Sequence, residues 1–121
     1  MLNVCMVGHG MMGIWHSEAL NRVDEAQLHT VVGRPKPAAS ATATEPTVGR
    51  KPPSTETFAN TYGYKKWTTD LGEALDDPEV DVVIVAGPSE THAEMAVASL
   101  EHGKHTLVEI PIAMNLSLIH I

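Results

Sequence analysis

The stretch Leu2-Asn3-Val4-Cys5-Met6-Val7-Gly8-His9-Gly10-Met11-Met12-Gly13 decides the fold of this 121-residue chain. Leu2 to Val7 is a short apolar run that stops at a glycine, as expected of a strand buried on both faces of a parallel sheet. From Met12 onward the pattern changes: Met12, Trp15, His16, Ala19, Leu20 and Val23 recur at helical spacing and read as one face of a helix. The period therefore switches from strand to helix across the glycines. In that setting each glycine has a task. Gly8 permits the tight turn, Gly10 keeps a Cβ out of the path of a pyrophosphate, and Gly13 lets the helix pack close to the strand. The helix N-terminus then offers free N–H groups and a partial positive charge to phosphates. Gly8, His9, Gly10, Met11, Met12 and Gly13 are thus candidate dinucleotide-binding residues. A SAM- or flavin-binding domain shares this topology, and a plain strand-to-helix turn is the bland alternative.

Outward from that stretch, Gln27 to Val32 reads as a second strand. Residues 34–57 are rich in Pro, Ala, Ser and Thr and hold five prolines, from Pro35 to Pro53. No helix runs through such a density of proline, so a long loop insert is expected. Thr30-Val31-Val32-Gly33-Arg34-Pro35 has a faint echo in Thr47-Val48-Gly49-Arg50-Lys51-Pro52, which a short duplication or chance explains equally well. Glu56 to Tyr62 reads as a helix closed by Gly63, and Lys65 to Trp67 as a brief strand. Asp70 and Glu73 are spaced as a capping box for a helix ending near Asp76. Val80 to Ala86, nearly all β-branched, is the clearest strand. His92 to His102 is a helix with Ala93, Ala96, Val97 and Leu100 on one face, and His105 to Val108 is a final strand. Alternation of this kind predicts an α/β fold, a Rossmann-type doubly wound parallel sheet covered by helices on both faces.

The end of the second strand bears on the cofactor. NAD sites place Asp or Glu about 20 residues beyond the glycine loop to hold the ribose 2′-OH. Here that place holds Gly33 and then Arg34. An arginine instead forms a forked pair with a 2′-phosphate, which favours NADP over NAD. Arg50, in the echo, is an alternative for that role, and both arginines also read as solvated loop residues. Ligands of open α/β sheets bind beyond the carboxyl ends of the strands. Gly87-Pro88-Ser89 and Glu109-Ile110-Pro111 stand at two such ends and are expected to border the nicotinamide.

Composition removes other classes. A net charge of −7 argues against a nucleic-acid surface. Cys5 is the only cysteine, which excludes an internal disulfide, and it sits in an apolar run as an inert thiol. No apolar run reaches the roughly 18 residues of a membrane helix, and the N-terminus lacks a signal pattern, so a cytoplasmic protein is expected. The seven histidines are scattered in sequence without metal-ligand spacing, so no metal is expected, and His16 reads as a half-buried helix residue.

Taken together, the Gly8–Gly13 loop, Thr57-Phe58-Ala59-Asn60-Thr61-Tyr62-Gly63, Asp70-Leu71-Gly72-Glu73-Ala74-Leu75, Val80-Asp81-Val82-Val83-Ile84-Val85, Thr91-His92-Ala93-Glu94, Gly103-Lys104-His105 and Glu109-Ile110-Pro111 resemble the N-terminal NAD(P)-binding domain of the Gfo/Idh/MocA oxidoreductases. The resemblance covers Leu2 to Met114. It implies hydride transfer to or from a carbonyl or alcohol carbon, His92 among the cofactor-binding residues, Glu109 facing the nicotinamide ribose and a cis peptide before Pro111. The family normally carries Glu-Lys-Pro, where the lysine assists hydride transfer. Ile110 stands at that lysine's place and has neither proton nor charge, so no catalytic residue is assigned. An NADP-linked branch, active in aromatic-acid breakdown, carries Glu-Ile-Pro followed by an apolar residue and alanine, as in Glu109-Ile110-Pro111-Ile112-Ala113.

Family members carry a second domain with the substrate site. This chain therefore reads as a dinucleotide-binding domain over residues 1–114, with a non-family tail over 115–121. It is expected to be a fragment, inactive alone. A full-length member would take a small-molecule substrate through that second domain and form a homo-oligomer. A non-catalytic nucleotide-binding module and an inactive gene fragment are the alternatives.

Overall fold

The computed structural model describes residues 1–34 and 54–115. Five strands form one parallel sheet: β1 (Leu2–Val7), β2 (Ala26–Val32), β3 (Lys66–Thr68), β4 (Val82–Val85) and β5 (His105–Val108), in the order β3-β2-β1-β4-β5. The helices are α1 (Met11–Leu20), α2 (Thr55–Tyr62), α3 (Leu71–Asp76) and α4 (His92–Glu101), the last preceded by a 3₁₀ turn at Ser89–Thr91. The order reverses at β1, which has β2 on one side and β4 on the other. A crevice at the carboxyl end of the sheet follows from that reversal.

Each sheet face has its own core. Val4, Met6, Leu28, Val31 and Ile84 pack against Phe58, Ala59 and Tyr64, with Ile14 and Leu20 of α1 joining them. On the other face Cys5, Val7, Val32, Val83 and Val85 pack against Ala74 and Leu75, with Met95 and Ala98 of α4. The β-branched and apolar runs of β1, β2 and β4 are buried from both sides, as the sequence pattern implied. Burial pushes the Cys5 thiol up to about 12, with Lys104 acting weakly in the opposite sense.

The inward faces of two helices match the expected ones only in part, at Leu20 and Ala96. In α1 the buried residues are Gly13 and Ser17, while Trp15, Ala19 and Val23 are exposed. In α4 they are His92, Ala96 and Ser99, while Leu100 is largely and Val97 partly exposed. The reason is the same in both. A small residue lets the helix approach the sheet, and its hydroxyl is satisfied by the carbonyl four residues back. Ser17 Oγ donates to Gly13 O at 2.7 Å and Ser99 Oγ to Met95 O at 2.8 Å. Ser17 also shares a 2.7 Å hydrogen bond with Tyr64 Oη. Burial pushes the Tyr64 phenol well up, against a smaller lowering from Ser17.

The capping box on α3 is only half formed. Asp70 Oδ1 accepts from Gly72 N at 2.9 Å, but Glu73 accepts from Thr68 Oγ1 rather than from Asp70 N. The expected insert overlaps α2 at its end: Ser54 is the N-cap and Thr55 to Thr57 the first turn. Its part over 35–53, with Arg50 and the sequence echo, and the tail beyond Asn115 lie outside the described residues.

Between Val4/Leu28 and Cys5/Thr30 the β1–β2 register slips by one, leaving His29 as a bulged extra residue. Its ring is buried, with Nδ1 2.7 Å from Thr30 Oγ1 and Nε2 3.0 Å from Glu79 Oε2. Lys104 Nζ donates to Asp77 O at 2.9 Å and Val80 O at 2.7 Å, placing a cation at the end of α3.

Candidate functional site

The glycine loop leaves β1 at the carboxyl edge of the sheet. Gly8 N donates to Val32 O at 2.9 Å, so the loop starts level with the end of β2. Gly8 has φ +97°, and a Cβ there would stand 2.6 Å from Ala86 O. A Cβ on Gly13 would stand 2.5 Å from Gly8 O, so the first turn of α1 lies directly on the loop. Gly10 is the opposite case: a Cβ would meet nothing within 4 Å. Two glycines are therefore required by the fold, and the third leaves open space at the start of a helix.

That helix start has no side-chain cap. Gly10 is its N-cap, in an extended conformation with φ −80° and ψ −158°, and no side chain accepts from the first turn. By contrast, Ser54 caps α2 and Asp70 caps α3. The α1 N-terminus therefore presents N–H groups and the positive end of the helix dipole to whatever lies above the loop.

Beside it lies a cleft of about 710 Å³ at the ends of β1, β2 and β4. It brings together five of the expected residues, Gly8, Gly33, Arg34, Gly87 and Pro88, with apolar walls from Val7, Leu71 and Met95. Asp70 and Glu90 also line it. Sequence reasoning treated Asp70 only as a helix cap and gave Glu90 no role. The signal available for both was their place just beyond strands β3 and β4. A cleft with apolar walls beside a glycine loop and an open helix N-terminus is the arrangement that an NAD(P)-binding Rossmann domain needs.

The remaining expected residues lie around this centre. Met11 and Met12 form the start of α1, Met11 being exposed. Ser89 opens the 3₁₀ turn next to Pro88. His9 stands on the other side of Gly33, its ring 5.5 Å from that of Phe58 and its Nε2 3.1 Å from Thr55 Oγ1. Burial holds its imidazole below the ordinary histidine range, against a smaller raising by its own backbone.

His92 joins the two loops expected at the nicotinamide end. It is buried, with Nε2 2.8 Å from Gly87 O and Nδ1 2.8 Å from Pro111 O. A ring nitrogen bearing its proton donates to the carbonyl it faces, so this one side chain ties the β4 loop to the β5 loop. The peptide between Ile110 and Pro111 is cis, as the resemblance implied. Glu109 meets His16, whose Nε2 contacts Glu109 Oε1. His16 is half-buried, as expected. Ile110 is 83% exposed and touches no core.

One histidine lies among carboxylates in space. His29, Asp77 and Glu79 bring ligand atoms within 4.8 Å of one another. The three already have protein partners, however. His29 meets Glu79, and Lys66 Nζ donates to Asp77 Oδ2 at 3.2 Å. The Glu79 N–H, and to a smaller extent Lys66, hold the Asp77 carboxyl below its ordinary value, against a modest opposing effect of burial.

A parallel sheet reversing at β1, with a glycine turn beneath an open helix N-terminus, defines an NAD(P)-binding Rossmann domain. The chain belongs to the Gfo/Idh/MocA oxidoreductases: that family's model, described as an oxidoreductase family with an NAD-binding Rossmann fold, matches residues 2–120. The 4-carboxy-2-hydroxymuconate-6-semialdehyde dehydrogenase of Sphingobium sp. (strain NBRC 103272 / SYK-6) is 32% identical over 112 residues that make up 93% of this chain and 30% of that protein. The scyllo-inositol 2-dehydrogenase (NAD(+)) of Bacillus subtilis (strain 168) is 33% identical over 92% of this chain and 28% of its own length. Among solved structures, an NAD binding oxidoreductase from Klebsiella pneumoniae superposes with a TM-score of 0.79 at 28% identity, covering 98% of this chain and 30% of that one. The chain thus spans less than a third of the length of these relatives. No described helix is long and apolar enough to cross a membrane.

Proposed function

We propose that this chain is the cofactor-binding part of an NADP-dependent dehydrogenase that moves hydride between nicotinamide and a small hydroxyl or carbonyl substrate. The observation that carries the reading is the contrast at α1: Gly8 and Gly13 are sterically required, while Gly10 and the uncapped N-terminus leave room and N–H groups for a pyrophosphate. The bound cofactor supplies the hydride chemistry. The chain's residues hold and orient it. His9, Met11 and Met12 complete the loop over the phosphates. Arg34, at the cleft's rim, supports NADP over NAD because its fork matches a 2′-phosphate. Gly87, Pro88 and Ser89, fixed by His92 to Pro111, border the nicotinamide, and Glu109 faces its ribose.

No lysine stands at position 110, so any proton transfer falls to residues beyond this chain. The family relation and the single buried thiol fit a reducing cytoplasm, and a full-length protein would bind substrate through its second domain as a homo-oligomer. Exposed Ile110 favours a second reading, a nucleotide-binding module without catalysis. Titration with NADPH and NADH, followed by Trp15 and Trp67 fluorescence, tests the binding reading common to both. Micromolar NADPH binding supports it, and no binding at millimolar nucleotide overturns it. Hydride exchange by a full-length protein carrying this domain separates the two.

A further inference from the structure

The corner where β2 ends is built from parts that nothing in the glycine motif specifies. Gly33 follows β2 directly, and its N–H donates to Thr68 O at 2.9 Å, fixing it in line with the strand ends. A side chain at this position has nowhere to go: its Cβ would overlap Thr55 Oγ1 and stand 2.9 Å from Thr55 Cβ and 3.0 Å from His9 Nε2. The volume that a residue-33 side chain would fill is thus occupied by the Thr55 hydroxyl, delivered from the first turn of α2. That hydroxyl is itself bonded to His9 of the glycine loop. Thr55 is 8% exposed, so the pair is set into the structure rather than lying over it.

In sites selective for NAD, a carboxylate in this place takes the ribose 2′-OH and repels a 2′-phosphate. Here three elements converge to put a hydroxyl and an imidazole there instead. We infer that Thr55 and His9 form the ribose-2′ corner of the cofactor site, Thr55 substituting for the missing acidic side chain and His9 donating to a 2′-phosphate opposite Arg34. This inference rests on the NADP reading above and names the residues that carry it. Burial holds the His9 imidazole below the ordinary histidine range, and neither Thr55 nor His9 brings a carboxylate to the corner. The ring nitrogen now shared with Thr55 is free to donate to a better acceptor once one arrives.

The test uses fragments of the cofactor, so that nothing depends on turnover. The chain is titrated with NADPH, NADH, 2′,5′-ADP and 5′-AMP, as wild type and as His9→Ala, Thr55→Asp and Thr55→Ser. His9→Ala should weaken 2′,5′-ADP and NADPH about tenfold more than it weakens 5′-AMP and NADH, the loss expected for one charge-assisted hydrogen bond to the 2′-phosphate. Thr55→Asp should weaken the phosphorylated ligands by tenfold or more and spare NADH, while Thr55→Ser keeps the wild-type ratio. Urea unfolding of each variant checks that it is folded, and His9→Ala, in a loop, carries the test if Thr55→Asp is not. A wild type that prefers NADH overturns both readings. A wild type that prefers NADPH, with a ratio unmoved by His9→Ala, overturns this one alone.

Discussion

Helices α1 and α2 pack on the same face of the sheet, both starting near its carboxyl edge, yet their first turns are built oppositely. In α2, Ser54 Oγ accepts from Thr57 N at 3.2 Å, so the helix is closed by its own chain. In α1 the N-cap is a glycine with open space around it. The fold gives up a stabilising cap, worth about 1 kcal/mol, where the proposed phosphate site lies. The difference separates residues that serve the fold from residues that serve the ligand, even within one six-residue loop.

Substitutions sharpen that contrast. The largest effect is expected at Gly8. Gly8→Val combines a positive φ with a Cβ against Ala86 O, and should cost roughly 3 kcal/mol or more in urea unfolding, with nucleotide binding lost alongside. Gly10→Asp should do the reverse. Its carboxylate would cap α1 and hold or raise the melting temperature, yet weaken NADPH about a hundredfold or more by occupying the phosphate site with like charge. A Gly10→Asp variant that still binds NADPH well would break the comparison. His92→Ala should cost roughly 2 kcal/mol, since the buried ring between the two loops and its hydrogen bond to a loop carbonyl are lost, and should raise the exchange rate of amides near Gly87 and Glu109. Ser54→Ala should cost about 1 kcal/mol and leave nucleotide affinity alone.

The smallest effect is at Asp77. Its carboxyl is held low in the folded chain, so its stabilisation is present above the ordinary carboxylate range near pH 4 and disappears as pH falls through its folded value. Asp77→Asn should slightly lower stability near neutrality, leave it unchanged at low pH, and so flatten the acid limb of a stability–pH curve.

The strands and the glycine loop were legible in the sequence because apolar runs and glycine spacing act locally. β1 and β5 fall where the residues placed them, and the cis Ile110–Pro111 peptide follows from the family resemblance. The inward faces of α1 and α4 were legible only in part, through Leu20 and Ala96. Hydrophobic periodicity picks out Trp15, Val97 and Leu100, but contact with the sheet is decided by how close a helix backbone comes, and Gly13, Ser17 and Ser99 win by being small. The Thr55–His9 pair was hidden for another reason. Its members are 46 residues apart in sequence, and only the packing of α2 against the end of β2 joins them. Asp70 was visible as a cap, but its second position, on the cleft wall, depends on where β3 joins the sheet.

The bulge at His29 lets β2 take up one extra residue without losing phase. Thr30, Val31 and Val32 stand opposite Cys5, Met6 and Val7, as Leu28 stands opposite Val4, so the two valines keep their faces across the insertion. Excising His29 should therefore splice Leu28 to Thr30 in an uninterrupted ladder: each downstream side chain of β2 keeps its address, and what is lost is the buried ring with its links to Thr30 and Glu79.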